Sequence, residues 1–547
     1  MSCNSTRKTL KIDRSGQVSL FIDDFRQGSK KLHHSKNLIF VNPDPKTILV
    51  GMESLDSYLN NAGQKDAFVI RRMLDEQDWS LFETLYKPGG RAPYAPKLMV
   101  GIILYGIIKG ISSLRELENL ARLDLGCMWV SGGIFPDHSV IGRFINKHSE
   151  QLSKELFVSL TKSVLEITNS NTDSVAGDGT VIQAAASRYG TIKFEAAQKA
   201  AQEAKAKSEK DPSNEKYRQK AEQSQTAAQI AEARAKQRHS KGRCAKETRI
   251  SPTEPESVVQ PLKTKAKAPS YKPSILANKK RVVVGVAVDG SNEVSVVKEM
   301  LEQAKKIGDG KNPQQAMFDA GYFADTVINE GLERDIDLLV PEGRSDQADR
   351  SFKKKSTKQF PKSSFEYNEI TDTYNCPAGK ELTAGRHYKG NENISSYIEY
   401  TTSSCANCTQ REQCTKSSSG RRILRYSSDE AKDALRTVME HPQAQLQYRQ
   451  RQAMVEPVFS TIKNEQGLKR FRRRGLAGVR LEFMLHVLAN NLKRALMASR
   501  ALSAVIYCYI FQILVGKTIV NQRYRFFERC NERNINSDVG GKNFAVT

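Results

Sequence analysis

The alternation of apolar and polar positions divides the chain into a helical first part and a longer part of short strands and helices. From about residue 47 to 165, apolar residues recur at three- and four-residue spacing, which is typical of helices with one buried face. Residues 98–108 are almost wholly apolar and predict a buried helix, and residues 112–121 predict an amphipathic one. Residues 1–46 show little periodicity, and no structure is predicted for them.

One helix start in the first part is marked by the motif Pro136-Asp-His-Ser139, in which Asp or Ser serves as the cap. Arg143 and Lys147 lie on the helix that follows. A compact unit of short helices with basic faces is consistent with a helix-turn-helix reader of DNA. A helical bundle that serves dimerisation explains the same residues equally well. We interpret 47–165 as a helical DNA-binding domain, with Arg143 among its DNA contacts.

The second part, residues 166–500, alternates strands and helices around two polar inserts at 193–280 and 341–428. Strands are predicted at 173–184, 281–288, 294–297, 315–318 and 337–340, and helices at 297–306, 323–333 and 429–500. Without the inserts, this order describes a mixed sheet flanked by helices, which is an α/β fold. Residues 501–547 are assigned to a C-terminal tail.

The first insert has two halves of different composition. Residues 194–243 are rich in Ala, Lys, Glu and Gln, which favour helix. The break Asp211-Pro-Ser-Asn predicts two arms, and so an antiparallel helical hairpin. Residues 250–280 are rich in Pro and Lys and predict an extended loop.

The charge balance points to a polyanionic partner. The chain has 85 Lys and Arg against 61 Asp and Glu, a formal net charge of +24. The basic residues cluster, which favours nucleic acid first and an anionic membrane surface second. The longest apolar run, 501–516, is shorter than the roughly 20 residues that a membrane span needs, so a buried helix or strand is expected there.

Two further features bear on the cellular setting. The first residues lack the basic and then apolar pattern of a signal peptide. The nine cysteines are odd in number and do not form an even-paired secretory framework. A reducing, cytoplasmic setting is therefore expected.

Three motifs place an acidic residue where a strand ends or a helix begins. They contain Asp178 (Val175-Ala-Gly-Asp-Gly-Thr180), Asp319 (Met317-Phe-Asp-Ala-Gly-Tyr-Phe323) and Glu456 (Val455-Glu-Pro-Val-Phe459). Asp-Gly is also a hairpin signal, so Asp178 has a competing interpretation as a turn residue. Asp319 has one as a helix cap, and Asp289, in a second Asp-Gly pair, is assigned to a turn.

The third motif contains a proline that affects its geometry. The residue before a proline avoids helical geometry, so the helix is expected to start or kink at Pro457. If one helix runs through Glu456, Lys463 lies seven residues on and on nearly the same face. An ion-paired surface glutamate is the competing interpretation of Glu456.

Converging carboxylates would suit divalent metal chemistry. Mg²⁺ takes hard oxygen ligands, keeps several waters and needs only one or two protein carboxylates per ion. Two such ions about 3.5–4 Å apart activate the attacking oxygen and stabilise the leaving oxygen in phosphodiester displacement. Three acids that converge in a basic surface therefore predict a site that cuts and rejoins DNA.

The order and wording of these motifs resemble bacterial insertion-sequence transposases of the DDE type, whose catalytic domain is RNase-H-like. The resemblance covers about residues 47–500. In the helical part it rests on Gly89-Gly-Arg-Ala-Pro-Tyr-Ala-Pro96, Leu104-Tyr-Gly106, Gly110-Ile-Ser-Ser-Leu-Arg-Glu116 and Pro136-Asp-His-Ser-Val-Ile-Gly-Arg-Phe144. In the catalytic part it rests on the three acidic motifs with Lys463, followed by Arg474-Gly-Leu476, Val479-Arg480 and Ala489-Asn-Asn-Leu-Lys-Arg494.

The resemblance implies a metal-binding triad of Asp178, Asp319 and Glu456 for Mg²⁺ or Mn²⁺, and a contact of Lys463 with the transposon end. It also implies terminal inverted repeats and target DNA as partners and, because two ends are paired, a homodimer. Some relatives place a tyrosine and an arginine before the glutamate. Arg451 lies there, one residue further from Glu456 than in those relatives, and is taken as a DNA contact.

Four cysteines in the second insert have the spacing of metal ligands: Cys376, Cys405, Cys408 and Cys414. Cys405-Ala-Asn-Cys408 is typical of a zinc knuckle. A redox pair is the alternative, but this polar insert lacks the strand and helix around such a pair. We therefore expect structural Zn²⁺, with His387 as a substitute ligand. The other five are expected to be ordinary residues: Cys3, Cys127, Cys244, Cys508 and Cys530.

A basic segment follows the third acidic motif. Its DNA-contact candidates are Lys469, Arg470, Arg472, Arg473 and Arg474. A solvated run of charges is the usual alternative. The next helix, 476–496, has an apolar stripe that is expected in the core rather than at an interface: Leu481, Met484, Leu485, Leu488 and Leu492.

The leading hypothesis is a DNA transposase that binds the terminal inverted repeats of its element, cuts each end by metal-dependent hydrolysis and joins the 3′-hydroxyl to target DNA. One alternative is a relative without catalysis that acts as a repressor or architectural DNA-binding protein. Another is a zinc-stabilised, metal-dependent nuclease that processes RNA. The expected location is the bacterial cytoplasm, on the nucleoid when DNA is bound.

Overall fold

The computed structural model describes residues 39–240, 242, 244–262, 266–343, 360, 362–389 and 396–515, with residues 503–515 described by their backbone alone. Most of the segment 1–46, most of the tail 501–547 and the side chains of Cys3, Cys508 and Cys530 lie outside the described residues. Among the described helices, none combines the length and the apolar character needed to cross a membrane.

The helices within the described residues are short, except in the first insert and at the end of the chain. They are α1 (Leu55–Asn61), α2 (Lys65–Asp75), α3 (Ser80–Glu83), α4 (Pro96–Ile108), α5 (Leu114–Leu123), α6 (Leu125–Ser131), α7 (His138–Lys147), α8 (Leu156–Ile167), α9 (Phe194–Lys210), α10 (Glu215–Ser240), α11 (Val297–Ile307), α12 (Asp325–Glu333), α13 (Arg411–Cys414), α14 (Asp429–Glu440), α15 (Pro442–Tyr448), α16 (Gln450–Ser460) and α17 (Gly475–Val515).

The strands are β1 (Leu49–Val50), β2 (Glu53–Ser54), β3 (Ser174–Gly179), β4 (Ile182–Gln183), β5 (Ile192–Lys193), β6 (Arg249–Ile250), β7 (Val258–Pro261), β8 (Lys267–Asn278), β9 (Val283–Asp289), β10 (Gln315–Met317), β11 (Asp337–Leu339), β12 (Glu366–Asn368), β13 (Thr373–Asn375), β14 (Glu381–Tyr388), β15 (Tyr397–Thr401) and β16 (Ile423–Tyr426). Helices and several sheets together make the protein α/β in class, as expected.

The chain folds into two compact units. We call the described residues within 1–170, 182–187 and 458–547 the helical unit, and those within 171–181 and 188–457 the sheet unit.

The core of the helical unit is built around α4, which packs against α2, α5, α6 and α17. Gly106 permits the close approach of α5, because a Cβ there would lie 2.1 Å from Leu117 Cδ2. Helix α7 begins where its motif predicts, and its cap is Asp137, whose Oδ1 accepts from Ser139 N and Val140 N at 2.8 and 3.0 Å. The predicted apolar stripe of α17 is buried from Leu481 to Leu492, so its assignment to the core is confirmed.

The core of the sheet unit is a mixed sheet with the strand order β9-β8-β3-β10-β11. Strand β8 is antiparallel to β3 and β9, whereas β10 is parallel to β3 and β11. Helix α11 packs on β9 and β8, and α12 and α14 pack beside β11. The predicted mixed sheet flanked by helices is therefore confirmed.

The prediction of an extended loop at 250–280 is wrong, because this stretch holds β6, β7 and the 12-residue strand β8. Pro269 and Pro273 argue against a central strand, since proline cannot donate to the ladder. The apolar stretch Ile275-Leu-Ala277 is nevertheless fully buried between β3 and β9, and Pro273 still accepts a hydrogen bond from Thr180 N at 2.9 Å.

The strand predicted at 294–297 is also wrong. Residues Val294–Val296 form a 3-10 turn that leads into α11. Asn292 Oδ1 accepts from Val294 N at 3.0 Å, which starts a helical turn instead of an extended strand.

Both inserts of the sheet unit have regular structure. The predicted helical hairpin is confirmed as α9 and α10, whose interface is made of alanines such as Ala197, Ala227 and Ala231. The second insert forms an antiparallel sheet, β12 to β16 in sequential order. Its core consists of Phe365, Tyr374, Leu382, Tyr400 and Ile423.

Candidate functional site

Asp178 and Asp319 lie at the same level of two neighbouring parallel strands. Met317 of β10 is in register with Ala176 of β3, so the two aspartates follow two residues further along, on the same face. Neighbouring strands are about 4.8 Å apart. Gly177 permits this arrangement, because a Cβ there would lie 2.2 Å from the ring of Phe318.

The competing interpretations of the aspartates have different outcomes. Asp178 is not in a hairpin turn, since it lies within β3 opposite Ile275 of β8. Asp319 does cap a 3-10 turn, Ala320–Tyr322, with Oδ1 accepting from Gly321 N at 2.9 Å. Asp289 is confirmed as a turn residue, because its Oδ1 accepts from Ser291 N and Asn292 N at 2.8 Å.

Each aspartate of the pair uses only one carboxylate oxygen on the backbone. Asp178 Oδ1 accepts from Gly179 N at 2.9 Å, as Asp319 Oδ1 does from Gly321 N. Within the described residues, Oδ2 of neither side chain accepts a hydrogen bond. An oxygen of each carboxylate is thus available to another ligand.

Burial raises the pKa of Asp178 above its ordinary value, and the nearby carboxylates of Asp319 and Glu456 raise it further. Arg451 opposes this effect, with Nη1 3.9 Å from Asp178 Oδ1 and 3.4 Å from the carbonyl oxygen of Gly177. Arg451 is 8% exposed, and the structure places its guanidinium beside Asp178, so its expected contact with DNA stays a prediction.

Glu456 lies in the middle of α16, and its side chain is exposed. Of the two outcomes expected at Pro457, a helix start is wrong, because α16 runs from Gln450 to Ser460 with this proline inside it, and a kink stays a prediction. A π-helical turn, Thr461–Glu465, follows and contains the half-buried Lys463. The regular seven-residue spacing assumed between Glu456 and Lys463 therefore does not apply.

The three acids are within electrostatic range but are not in ligating contact. In the part of the chain that the structure describes, no three His, Cys, Asp or Glu side chains lie close enough together to hold a metal ion. The expected Mg²⁺ and Zn²⁺ sites therefore stay predictions.

Lys272 is a residue near the acids that sequence reasoning missed. It lies on β8 and forms an ion pair with Glu293, whose Oε2 would be 2.5 Å from a Cβ at Gly179, next to Asp178. Burial lowers the pKa of Lys272, while Asp319 and Asp178 oppose that shift. Its segment was predicted to be a loop, so no signal in the sequence placed it in the sheet.

The basic segment of the helical unit separates into two groups. Lys469, Arg472 and Arg474 are exposed, and their side chains make no hydrogen bond or ion pair to any described residue. Arg470 and Arg473 are engaged within the protein instead. Arg470 donates to the carbonyl oxygens of Ala184 and Ala186 at 3.1 Å, and Arg473 Nη1 donates to Asn146 Oδ1 at 2.6 Å. Arg143, on α7, is exposed.

The four cysteines of the second insert line one pocket. Cys376 lies in a tight turn, where its Sγ accepts from Lys380 N at 3.3 Å. Burial raises the pKa of Cys414, and the three other thiols raise it further. His387 lies on β14, and the pocket lining does not include it. Cys127 is buried and Cys244 is exposed, and both are free thiols.

Comparison with known proteins gives two family matches. Residues 58–147 match a transposase domain family, DUF772, and residues 375–496 match the transposase DDE domain. The second segment contains Glu456, Lys463 and the four cysteines, whereas Asp178 and Asp319 lie outside both. No curated protein matches the chain. With both matches in this order, the resemblance to insertion-sequence transposases of the DDE type is confirmed.

Proposed function

We propose that the protein is a DNA transposase that cuts the ends of its own element and joins them to target DNA, with an RNase-H-like core and Asp178, Asp319 and Glu456 as its metal ligands. The observation that carries this proposal is the matched register of Asp178 and Asp319 on adjacent parallel strands, with Glu456 in electrostatic range. The DDE domain match over residues 375–496, which include Glu456, supports the same assignment.

The donor chemistry suits Mg²⁺ or Mn²⁺. The donors are carboxylate oxygens, which these ions prefer: Oδ2 of Asp178 and of Asp319, and the exposed carboxylate of Glu456. At these oxygens a divalent ion would supply stabilisation of negative charge on the scissile phosphate and would acidify water. Binding has to draw the three side chains closer than they lie in this conformation. In the conformation of this structure, the guanidinium of Arg451 partly offsets the negative charge of Asp178.

The reaction needs no protein nucleophile. In the cutting step, water attacks phosphorus and the 3′ oxygen leaves, which yields a 3′-hydroxyl. In the joining step, that hydroxyl attacks a phosphodiester of target DNA, whose own 3′ oxygen leaves. The chain's part is to hold the phosphates and the ligand oxygens in place.

The exposed basic residues of the helical unit are the proposed contacts to DNA phosphates. Lys469, Arg472 and Arg474 are exposed, as is Arg143 on α7, and we add Lys463 as a contact to the transposon end. Such contacts give affinity that is independent of sequence and falls with salt. Because two ends of the element must be cut together, the acting form is proposed to be a homodimer on paired terminal inverted repeats.

The DNA on either side of the coding sequence provides the test substrate. Inverted repeats there, used as labelled duplex ends with Mg²⁺, should be nicked by the wild-type protein. Asp319→Asn and Glu456→Gln should lose nicking and keep end binding measured in Ca²⁺. Cleavage at the wild-type rate by either variant removes that residue from the triad. End binding without any cleavage by the wild type indicates a DNA-binding relative, and cleavage of RNA but not DNA indicates an RNA-processing nuclease.

The four cysteines are proposed to hold a structural Zn²⁺, because tetrahedral zinc takes four thiolates and all four line one pocket. Cys408→Ser should lower the zinc content measured by atomic absorption and expose the second insert to proteolysis. Cys244→Ser, at an exposed thiol outside the pocket, is the matched control. Wild-type protein purified without chelator and free of zinc would contradict the proposal.

A further inference from the structure

Pro457 removes a hydrogen bond from the helical turn that carries Glu456. Proline has no N–H, so the carbonyl of Ala453, four residues earlier in α16, lacks its donor within the helix. Glu456 directly precedes the proline and lies three residues after Ala453, on the same turn. A helix that loses a bond at such a point bends or frays, and this would change the direction of Glu456.

Arg281 supplies a donor at this point. Its Nε donates to the carbonyl oxygen of Ala453 at 3.1 Å, from 172 residues earlier in the chain. A guanidinium donor is charged, and charge-assisted hydrogen bonds are stronger than those between neutral groups.

The turn between β8 and β9 is built to hold Arg281. Its φ is +63°, in the left-handed region that glycine usually fills. Asn278 fixes the turn: its carbonyl oxygen accepts from Arg281 N at 2.8 Å, and its Oδ1 accepts from Lys280 N and Val282 N at 3.0 Å. Asn278 Nδ2 in turn donates to the carbonyl oxygen of Asn171 at 2.9 Å. Glycine would take this conformation without strain, so what the arginine adds is its side chain.

We infer that Arg281 is a positioning residue for Glu456: it replaces the hydrogen bond that Pro457 removes and so fixes the turn of α16 from which Glu456 reaches the metal. This inference rests on the proposed function, in which Glu456 is a ligand. Groups that orient a metal ligand typically change metal affinity by about 10–100-fold when they are removed.

Arg281→Gly distinguishes a role in positioning Glu456 from a role in the stability of the fold, because Mn²⁺ affinity and the thermal unfolding midpoint are measured on the same variant. The variant loses the hydrogen bond of the guanidinium, while glycine relaxes the left-handed backbone, so the two effects oppose each other and the thermal unfolding midpoint should change little. Mn²⁺ affinity, followed by the electron paramagnetic resonance signal of free Mn²⁺, should fall by roughly tenfold. Lys279→Ala is the matched control, because it removes one positive charge from an exposed position of the same turn and should leave the affinity unchanged.

Pro457→Ala gives a second and sharper test. The alanine restores an N–H that can bond to the carbonyl of Ala453, so Arg281→Gly should cost less than twofold in Mn²⁺ affinity in that background. An equal loss in the wild-type and Pro457→Ala backgrounds overturns the inference, because Arg281 would then act by another route.

Glu456→Gln distinguishes failure of this inference from failure of the proposed function. If Glu456→Gln weakens Mn²⁺ binding and Arg281→Gly does not, only the positioning role is overturned. If Glu456→Gln binds Mn²⁺ as tightly as the wild type, Glu456 is not a ligand, and both the triad and the role of Arg281 are overturned.

Discussion

Asp178 in the sheet unit is half-buried, and Glu482 in the helical unit is buried. Both acids lie beside arginines, but their carboxylate oxygens are used differently. Burial is the main cause that raises the pKa of each. Glu482 on α17 uses both oxygens on the backbone: Oε2 accepts from Arg472 N at 3.0 Å and from Arg473 N at 2.9 Å, and Oε1 accepts from Arg472 N at 3.1 Å. Asp178 uses one oxygen and faces two other acids.

The difference separates an acid that holds the fold from an acid that can hold a ligand. A raised pKa alone does not mark a functional site, because buried structural networks shift pKa values too. Asp178 differs because its Oδ2 accepts no hydrogen bond from a described residue and because the carboxylates of Asp319 and Glu456 are within electrostatic range. Glu482 instead fixes the backbone of the basic segment.

The largest expected effect is at Asp178. Asp178→Asn should lower DNA cleavage by at least about a hundredfold, because metal ligands contribute several kcal/mol of charge stabilisation and each ~1.4 kcal/mol is tenfold in rate. The unfolding midpoint should stay the same or rise, since the neutral amide has neither the desolvation cost nor the repulsion from Asp319 and Glu456. End-cleavage kinetics and thermal denaturation measure the two effects. A lower unfolding midpoint together with wild-type cleavage would contradict the prediction, because Asp178 would then stabilise the fold and not hold a ligand.

Glu482→Ala should show the opposite combination. The backbone N–H groups of Arg472 and Arg473 would lose their acceptor, which costs about 1–3 kcal/mol of unfolding free energy. Cleavage per folded molecule should stay within about tenfold of the wild type, as no ligand is lost. Urea denaturation combined with cleavage assays at a temperature where the variant is folded provides the measurement. An unchanged unfolding free energy would show that the backbone hydrogen bonds only balance the cost of burying Glu482.

The elements that could be predicted from the sequence are those set by local chemistry. The helix cap at Asp137 and the hairpin break at Asp211 follow from residue types a few positions apart. Strand β8 could not be predicted, because its burial comes from pairing with β3 and β9 and outweighs the local effect of Pro269 and Pro273.

The candidate site was predictable by residue type but not by geometry. The acids carry recognisable motifs, yet the register that places Asp178 level with Asp319 joins strands about 140 residues apart in the chain. The burial of Arg451 and the role of Arg281 on α16 likewise depend on partners distant in sequence. Pro457 suggested a helix start that the structure does not have, since α16 runs through it, and the donor that Arg281 gives to the carbonyl oxygen of Ala453 comes from another element.

His486 lies one turn after Glu482 on α17, and its titration makes the stability of the helical unit depend on pH. Burial, with a further contribution from Arg472, lowers its pKa to about 3, and its Nδ1 lies 2.9 Å from Gln466 Oε1. The unfolded chain binds this proton below about pH 6.5, so the contribution to stability is complete above that pH and is lost as pH falls toward 3.

We therefore expect the unfolding free energy of the wild type to fall by up to about 1.4 kcal/mol per pH unit below pH 6.5 because of His486. Subtracting the curve of His486→Asn isolates this effect from His148, whose pKa burial also lowers, to about 4, and from Glu482, which has the opposite sign. Parallel curves for variant and wild type between pH 7 and 5 would contradict the prediction.

The smallest expected effect is on DNA binding, and it comes from comparing an arginine that is free of side-chain partners among the described residues with one that is engaged within the protein. Arg472 is exposed, and its side chain makes no hydrogen bond or ion pair to any described residue, whereas Arg473 is half-buried and bonded to Asn146. Arg472→Ala should weaken binding to every duplex to a similar extent and reduce the slope of log affinity against log salt by about 1, because one phosphate contact is lost. Arg473→Ala should leave that slope unchanged and lower the unfolding midpoint instead. Fluorescence anisotropy from 50 to 200 mM KCl, about the range over which such contacts change affinity most, measures both slopes. Equal slopes for the two variants would mean that engagement within the protein does not identify which basic residues contact DNA.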